Sequence, residues 1–327
     1  MNVLLTGGAG YIGSHAALSL LDSGHNVYII DDLSTGNESL IPKNARFTNC
    51  NINDDSNISR IIRSNKFDLV MHFAGFIQVE ESMQQPEKYF KNNTQNAIKF
   101  FKICKENGLN KIIFSSTASA YGFVSENILV DENTTLNPQN PYAESKIKTE
   151  KFLIEHQDDF EFIILRYFNV AGADKNLRSG QISKTSTHLI KILSEVIVGK
   201  RNHIEIFGKD YNTPDGTAVR DYIHVSDLAD IHLEVAKKLL ENSESNLFNC
   251  GYGNGFSVLD VVNTANKLYQ NKIKFKFSNR RDGDAERLIA ETSKIMNYIN
   301  WEPKYNDLKK IINSSIKWEE KINASNT

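Results

Sequence analysis

The sequence predicts an α/β protein: a doubly wound parallel sheet joined to a smaller, less regular α/β domain. Three observations carry this expectation. The short apolar run Val3-Leu4-Leu5 meets the glycine-rich stretch Thr6 to Gly13 and passes into a helical pattern through Ala16, Leu18, Leu20 and Leu21. Strand-like apolar runs then alternate with helical periodicity to about residue 170. Beyond that point the alternation breaks into loops and mixed elements. Strand–helix–strand repeats specify parallel pairing, because a parallel neighbour needs a crossover long enough to hold a helix.

In chain order, Val27-Tyr28-Ile29-Ile30 reads as the second buried strand and Leu69 to Phe73 as another. Ala97 to Cys104 is helical, Lys111 to Ser115 is a strand, the stretch around Tyr142 starts a helix, and Phe162 to Arg166 is a further strand. Residues 171–187, rich in Gly, Ser, Lys and Thr, and 208–217, with Gly208, Pro214 and Gly216, read as loops. From Val258 the pattern gives a helix to Tyr269, a strand from Ile273 to Phe277, a basic turn at Arg280-Arg281 and a final helix whose polar tail frays after Trp318. The expected division is residues 1–170, to which about 218–250 return, and a second domain of 171–217 with 251–327.

Composition bounds the function. With 327 residues, 40% hydrophobic and 24% charged, the chain is globular and has material for a sizeable core. A net charge of −2 supplies no field for nucleic acid or an anionic membrane. No run reaches the ~20 apolar residues of a membrane span, and no secretory pattern follows Met1, so a soluble cytoplasmic protein is expected. Cys50, Cys104 and Cys250 are widely spaced and read as buried reduced thiols. The histidines show no metal-ligand spacing, and no metal is expected.

Gly7, Gly10 and Gly13 stand between a strand and a helix, the context of a dinucleotide-binding (Rossmann) turn. Glycine lets the backbone turn tightly and approach a pyrophosphate, which the helix N-terminus then receives. Asp31 ends the second strand, where a carboxylate accepts from adenosine ribose hydroxyls and repels a 2′-phosphate; the pattern therefore favours NAD over NADP. Asp32, its neighbour, is either a second such contact or a loop residue.

Tyr142 and Lys146 share one face if their segment is a helix. An ammonium beside a phenol favours the phenolate, a proton acceptor for a sugar hydroxyl. Spacing alone does not discriminate, since Tyr305 and Lys309 stand equally far apart.

The glycine turn combined with Tyr-x-x-x-Lys resembles the short-chain dehydrogenase/reductase superfamily. His72-Phe73-Ala74-Gly75, Asn92-Asn93, Phe114 to Gly122, Leu165-Arg166-Tyr167-Phe168-Asn169 and Arg220-Asp221-Tyr222-Ile223-His224-Val225 follow in the order of its extended branch. Together they resemble the UDP-glucose (UDP-galactose) 4-epimerases from Thr6 to about Trp301. The resemblance implies NAD contacts from Tyr11, Ile12, Asp31, Phe73, Ala74, Gly75, Asn92, Lys146 and Phe168, with Tyr167 in the same block. Two positions depart from that pattern. Asn51-Ile52 stands where an Asp-Ile pair is usual at the adenine, and Ile77 where many members carry a lysine towards the cofactor.

Thr117 matches the catalytic Ser/Thr of that family. The resemblance implies that Tyr142, as phenolate, takes the C4 hydroxyl proton of the sugar while hydride passes to NAD. Lys146 holds the nicotinamide ribose and Thr117 completes the relay. In such epimerases the 4-keto sugar turns over within the site and takes the hydride back on its other face. Sister dehydratases place Asp-Glu after the threonine; Ala118-Ser119 cannot do that acid–base work. A UDP-sugar also needs cations for its pyrophosphate. Arg220 and Arg281 are the candidates, unless they merely pair with Asp221 and Asp282. Asn169, Leu189, Phe207, Tyr222 and Asp284 are implied as further UDP contacts, and His188 as a phosphate or ribose donor or a structural histidine. Leu288 aligns with the position that gates a 2-N-acetyl group, or simply packs in the core. The readings carried forward are a UDP-glucose 4-epimerase, an epimerase of UDP-N-acetylhexosamines, a nucleotide-sugar dehydrogenase or reductase, and an NAD-sensing protein without turnover. The same resemblance suggests a homodimer through residues 88–107 and 142–156.

Overall fold

A computed structural model describes residues 1–124, 129–183, 186–270, 272–281 and 283–324. The chain forms two compact units: residues 1–120, 138–166 and 229–248, and residues 121–137, 167–228 and 249–327. Against the expected division, 121–137 groups with the second unit, and the return to the first covers 229–248 rather than about 218–250. The reason is pairing: Val219–His224 is the central strand of the second unit's own sheet.

The first unit is a seven-stranded sheet. Its strands are β1 (Asn2–Thr6), β2 (Asn26–Asp31), β3 (Arg46–Asn49), β4 (Leu69–His72), β5 (Lys111–Thr117), β6 (Glu161–Tyr167) and the strand Asn246–Cys250. Their order is Asn246–Cys250, β6, β5, β4, β1, β2, β3. β1 runs parallel to both β2 and β4, and β2–β3 and β4–β5 are parallel too. The order reverses at β1, so the carboxyl ends of β1 and β4 open the crevice in which such sheets hold ligands.

The strands are near-continuous apolar runs because helices cover both faces. On one face Leu4, Val70, Ile112, Phe114 and Ile164 pack against Ile58, Ile61 and Ile62 of the helix Asp55–Ser64, Phe100 and Phe101 of Ala97–Glu106, and Phe152 and Leu153 of Pro141–Glu155. Val3, Leu5, Ile29, Met71 and Ile163 point the other way and are equally buried.

In the second unit Val219–His224 pairs antiparallel with Gly255–Ser257 and parallel with Arg287–Leu288 and Asn169–Ala171. A separate parallel pair joins Ile204–Phe207 to Phe275–Ser278. Ser257 and Asp260 cap the helix Val258–Leu268 reciprocally, which fixes its start. The final helix, Leu308–Ala324, continues through the segment that was expected to fray after Trp318, because Trp318 and Glu319 are buried.

Candidate active site

In the first unit the turn after β1 touches the turn after β4. A Cβ added at Gly7, whose φ is 72°, would stand 2.5 Å from the Ala74 nitrogen. One added at Gly13 would stand 2.3 Å from the Gly7 oxygen. Glycine at these two positions is what lets the backbones meet. Gly10 caps the helix Tyr11–Asp22 without a side-chain hydrogen bond, and no acid stands in the first turn. The positive end of that helix is therefore suited to an external anion. Tyr11 and Ile12, half-buried, open the helix.

Asp31 clips this turn to the strand beside it. Its Oδ2 accepts from the Ala9 N–H at 3.0 Å and its Oδ1 from the Leu33 N–H at 2.9 Å. Burial pushes its carboxyl pKa up, opposed by those two donors. Asp32 accepts from the Ser34 N–H at 2.9 Å and from the side-chain amide of Asn51. The Asn51 oxygen in turn accepts from the Asn53 N–H at 3.0 Å. The departure at Asn51 thus has a local reason: an aspartate there would set a second carboxylate against Asp32, whereas the amide donates to it. Ile52 beside it is buried, and Ile77 is exposed. Touching glycine backbones, an uncapped helix N-terminus and a buried carboxylate at the strand end together fit a dinucleotide.

Phe73, Ala74 and Gly75 extend β4, with the Phe73 ring 4.9 Å from that of His232. Asn92 lies half-buried in a π-helical stretch, Phe90–Asn96, that the sequence did not signal. Such one-turn widenings recur at functional sites. Here the wider turn brings Asn93 inward. Its side chain accepts from the Phe76 N–H at 2.9 Å, donates to the Phe76 carbonyl at 2.9 Å and reaches Ser145 at 3.2 Å. Asn93 thus ties the segment after β4 to the helix Pro141–Glu155.

That helix starts on Asn140, whose side chain accepts from the Ala143 N–H at 2.9 Å, with Pro141 as its first residue. Tyr142 and Lys146 follow one turn apart. Lys146 is 2% exposed; its ammonium donates to the Ser115 carbonyl at 2.8 Å and lies 5.0 Å from the Phe114 ring centroid. Burial depresses its pKa to about 8, against the pull of the Glu150 carboxylate. Burial also raises the Tyr142 phenol, while a hydrogen bond with Thr117 draws it down. Thr117, at the end of β5, also accepts from the Ser119 N–H at 3.1 Å.

The equally spaced pair Tyr305/Lys309 is not such a site. Tyr305 precedes the helix that begins at Leu308, stacks on His224 at 4.3 Å and donates its backbone N–H to Asp227 at 2.9 Å, while Lys309 is exposed.

In the second unit, Tyr167 and Phe168 are buried and lead into Asn169, which is exposed and stands in register with Tyr222. Arg220 pairs with Asp284 and donates to the Val219 carbonyl at 2.8 Å. Asp221, the partner first weighed for Arg220, is instead wholly buried and accepts backbone N–H groups of Tyr252, Gly253 and Ala290. Its pKa is pushed up to about 6 by burial, against those donors. Asp282, weighed for Arg281, lies outside the described residues. The Arg281 guanidinium is 3.9 Å from the Phe207 ring centroid. Tyr222 is buried and its phenol is pushed up to about 12 by burial. Leu288 is 9% exposed and in register with Arg220. His188 is exposed, bonded to Gln181 at 2.7 Å, and precedes the helix that starts at Leu189.

Residues 3–251 match the NAD dependent epimerase/dehydratase family. The chain belongs to that family. Among curated relatives of this epimerase/dehydratase chain, the UDP-glucose 4-epimerase of Azospirillum brasilense is 42% identical over 99% of this chain and 93% of its own length. A solved UDP-glucose 4-epimerase from Bifidobacterium longum in complex with NAD+ and UDP superposes with a TM-score of 0.92, at 33% identity and covering 98% of both chains. The UDP-Glc/GlcNAc 4-epimerase of Campylobacter jejuni superposes at 0.84, with 42% identity over 98% of this chain and 99% of its own. Like them, this NAD-dependent family member is built on a doubly wound sheet. Among the described residues no helix is long and apolar enough to cross a membrane, and no cluster of His, Cys, Asp and Glu could hold a metal.

Sequence reasoning missed Glu150, Ser116 and Arg166. Glu150 accepts from Ser116 and from both Arg166 Nε, at 3.0 Å, and Nη2, at 2.6 Å. A signal existed: Glu150 stands one helical turn beyond Lys146, and Arg166 interrupts an apolar strand.

Proposed function

We propose that the chain interconverts UDP-glucose and UDP-galactose through a 4-keto intermediate, with tightly held NAD. The observation that carries this is the Tyr142 phenol, hydrogen-bonded with Thr117 and one helical turn from Lys146, with no acid pair at Ala118-Ser119. Bound NAD supplies a reversible acceptor for the hydrogen at C4. Gly7, Gly10, Gly13, Tyr11, Ile12, Asp31, Phe73 to Gly75, Asn92 and Phe168 hold it, Asp31 through the adenosine ribose. Lys146 is fixed between the Ser115 carbonyl and the Phe114 face, where it binds the nicotinamide ribose and adds positive potential. Tyr142 removes the C4 hydroxyl proton and later returns it; Thr117 passes the proton between phenol and sugar. Without an acid after Thr117, no residue there protonates a leaving hydroxyl, so return of the hydrogen is the open path. The second unit supplies Arg220 and Arg281 for the diphosphate and Phe207, Tyr222, Asn169, Leu189 and Asp284 for the nucleoside.

Purified protein given UDP-glucose is expected to form UDP-galactose with no net NADH. NADH accumulating in step with product would defeat the reading in favour of a dehydrogenase, and NAD binding with no turnover would favour a sensor.

One observation favours a second substrate. Leu288 is smaller than the tyrosine that would close the space for a 2-N-acetyl group, and the dual-specificity Campylobacter jejuni enzyme is 42% identical. UDP-N-acetylglucosamine is therefore expected to turn over as well. Leu288→Tyr should lower kcat/KM for it by about tenfold or more while sparing UDP-glucose. Equal losses on both substrates in a side-by-side assay would show that Leu288 only packs. We further infer a cytoplasmic homodimer, paired through helices in residues 88–107 and 142–156, serving galactose metabolism; exposed Ile154 on the second helix supports that face.

A further inference from the structure

In the second unit, Tyr211 is 5% exposed, and its hydroxyl is buried with no hydrogen-bond partner among the described residues. A buried unpaired hydroxyl costs about 1–3 kcal/mol and calls for an explanation. Its ring is fixed in place. The Tyr211 N–H donates to the Gly216 carbonyl at 3.0 Å, the Arg280 guanidinium covers the ring at 4.1 Å, and a Cβ on Gly208 would meet the ring edge at 2.4 Å. The nearby charges that act on the hydroxyl are Asp284, Arg220, Arg280 and Asp210. All four are already paired with one another. Arg280 donates to Asp210 at 2.8 Å, at the surface. Arg220 and Asp284 are bonded to each other.

That ion pair sets a problem for an anionic ligand. An arginine held by a carboxylate must let go of it to form a fork with phosphate oxygens. The carboxylate would then stand part-buried without its cation, which is costly unless a donor replaces it. The Tyr211 hydroxyl, buried, unpaired and within the field of that carboxylate, is such a donor.

We propose that Tyr211 is a positioning residue for the nucleotide: when Arg220 turns to a diphosphate, the Tyr211 hydroxyl donates to Asp284 and holds that carboxylate for the nucleoside. This rests on the UDP-sugar reading above. It predicts that UDP affinity depends on Tyr211 only through Asp284, and that the unliganded fold does not need the hydroxyl. By calorimetric titration with UDP, Tyr211→Phe is expected to bind about tenfold more weakly than wild type, the scale of one hydrogen bond to a charged group. Its unliganded melting temperature should equal or exceed that of wild type. In an Asp284→Ala background, adding Tyr211→Phe should change affinity no further. Unchanged UDP affinity in Tyr211→Phe, or losses that simply add in the double variant, would overturn the proposal while leaving the UDP-sugar reading intact. A wild-type protein that binds no UDP would overturn both.

Discussion

Tyr142→Phe is expected to lower turnover by about 10²- to 10⁴-fold, the range general acid–base catalysis contributes, while UDP still binds. The size follows from the surroundings of the phenol. Lys146 cannot replace it as the proton acceptor, because its ammonium is committed to the Ser115 carbonyl. Thr117 cannot either, since an alcohol is a far weaker base than a phenolate and serves here as a hydrogen-bond relay. The substitution removes one oxygen from a half-buried ring that packs edge-on to Tyr89 at 6.4 Å, so shape and fold are kept. Single-turnover rates with UDP-glucose, beside a UDP titration, check it. A variant turning over near the wild-type rate would show that another group moves the proton.

Glu150→Ala is expected to destabilise the protein by about 3–5 kcal/mol, the cost of leaving a buried charge without its partner. Glu150 is 1% and Arg166 is 3% exposed, and the guanidinium meets the carboxylate through two nitrogens. The pair, with Ser116, staples the catalytic helix to β5 and β6. Removing the carboxylate takes from the buried Arg166 guanidinium both bonds it makes to Glu150. It also removes the charge that holds Lys146 up at about 8, so the ammonium should lose its proton at lower pH. The sign is definite. Folded Lys146 already binds its proton less well than the unfolded side chain, so between about 8 and its ordinary value the unfolded state carries the extra proton and stability rises with pH. Taking Glu150 away widens that window downward. Urea unfolding at pH 7 measures the loss; a change under about 1 kcal/mol would mean the pair contributes little beyond solvated charges.

Much of the site was legible because its signals are local. A glycine turn between a strand and a helix, an acid at the next strand end, and a tyrosine four residues before a lysine are patterns of short range. Their physical demands hold within a few residues. Arg220 was legible as a cation but not as to its partner: the neighbouring Asp221 looked available, and burial sent it to three backbone N–H groups, leaving Asp284 to pair with Arg220. Asn93 and the π-helical turn around it were not legible, since the widening is imposed by the bonds Asn93 makes to Phe76 and Ser145, far off in sequence.

Tyr142/Lys146 and Tyr305/Lys309 mark where sequence stops. By itself the sequence determined the alternation of strands and helices, the dinucleotide turn with Asp31, and the absence of an acid pair after Thr117. Each of these depends on residue type and spacing along one element. The tertiary structure alone decided which tyrosine sits one helical turn from a buried lysine and which stacks on His224 ahead of a helix. It alone decided that Asn51 donates to Asp32, that Lys146 faces a β5 carbonyl, and that the Tyr211 hydroxyl is buried unpaired in the field of Arg220 and Asp284. The reason is that burial and partner choice, which set charge and proton affinity, are made by segments distant in the chain.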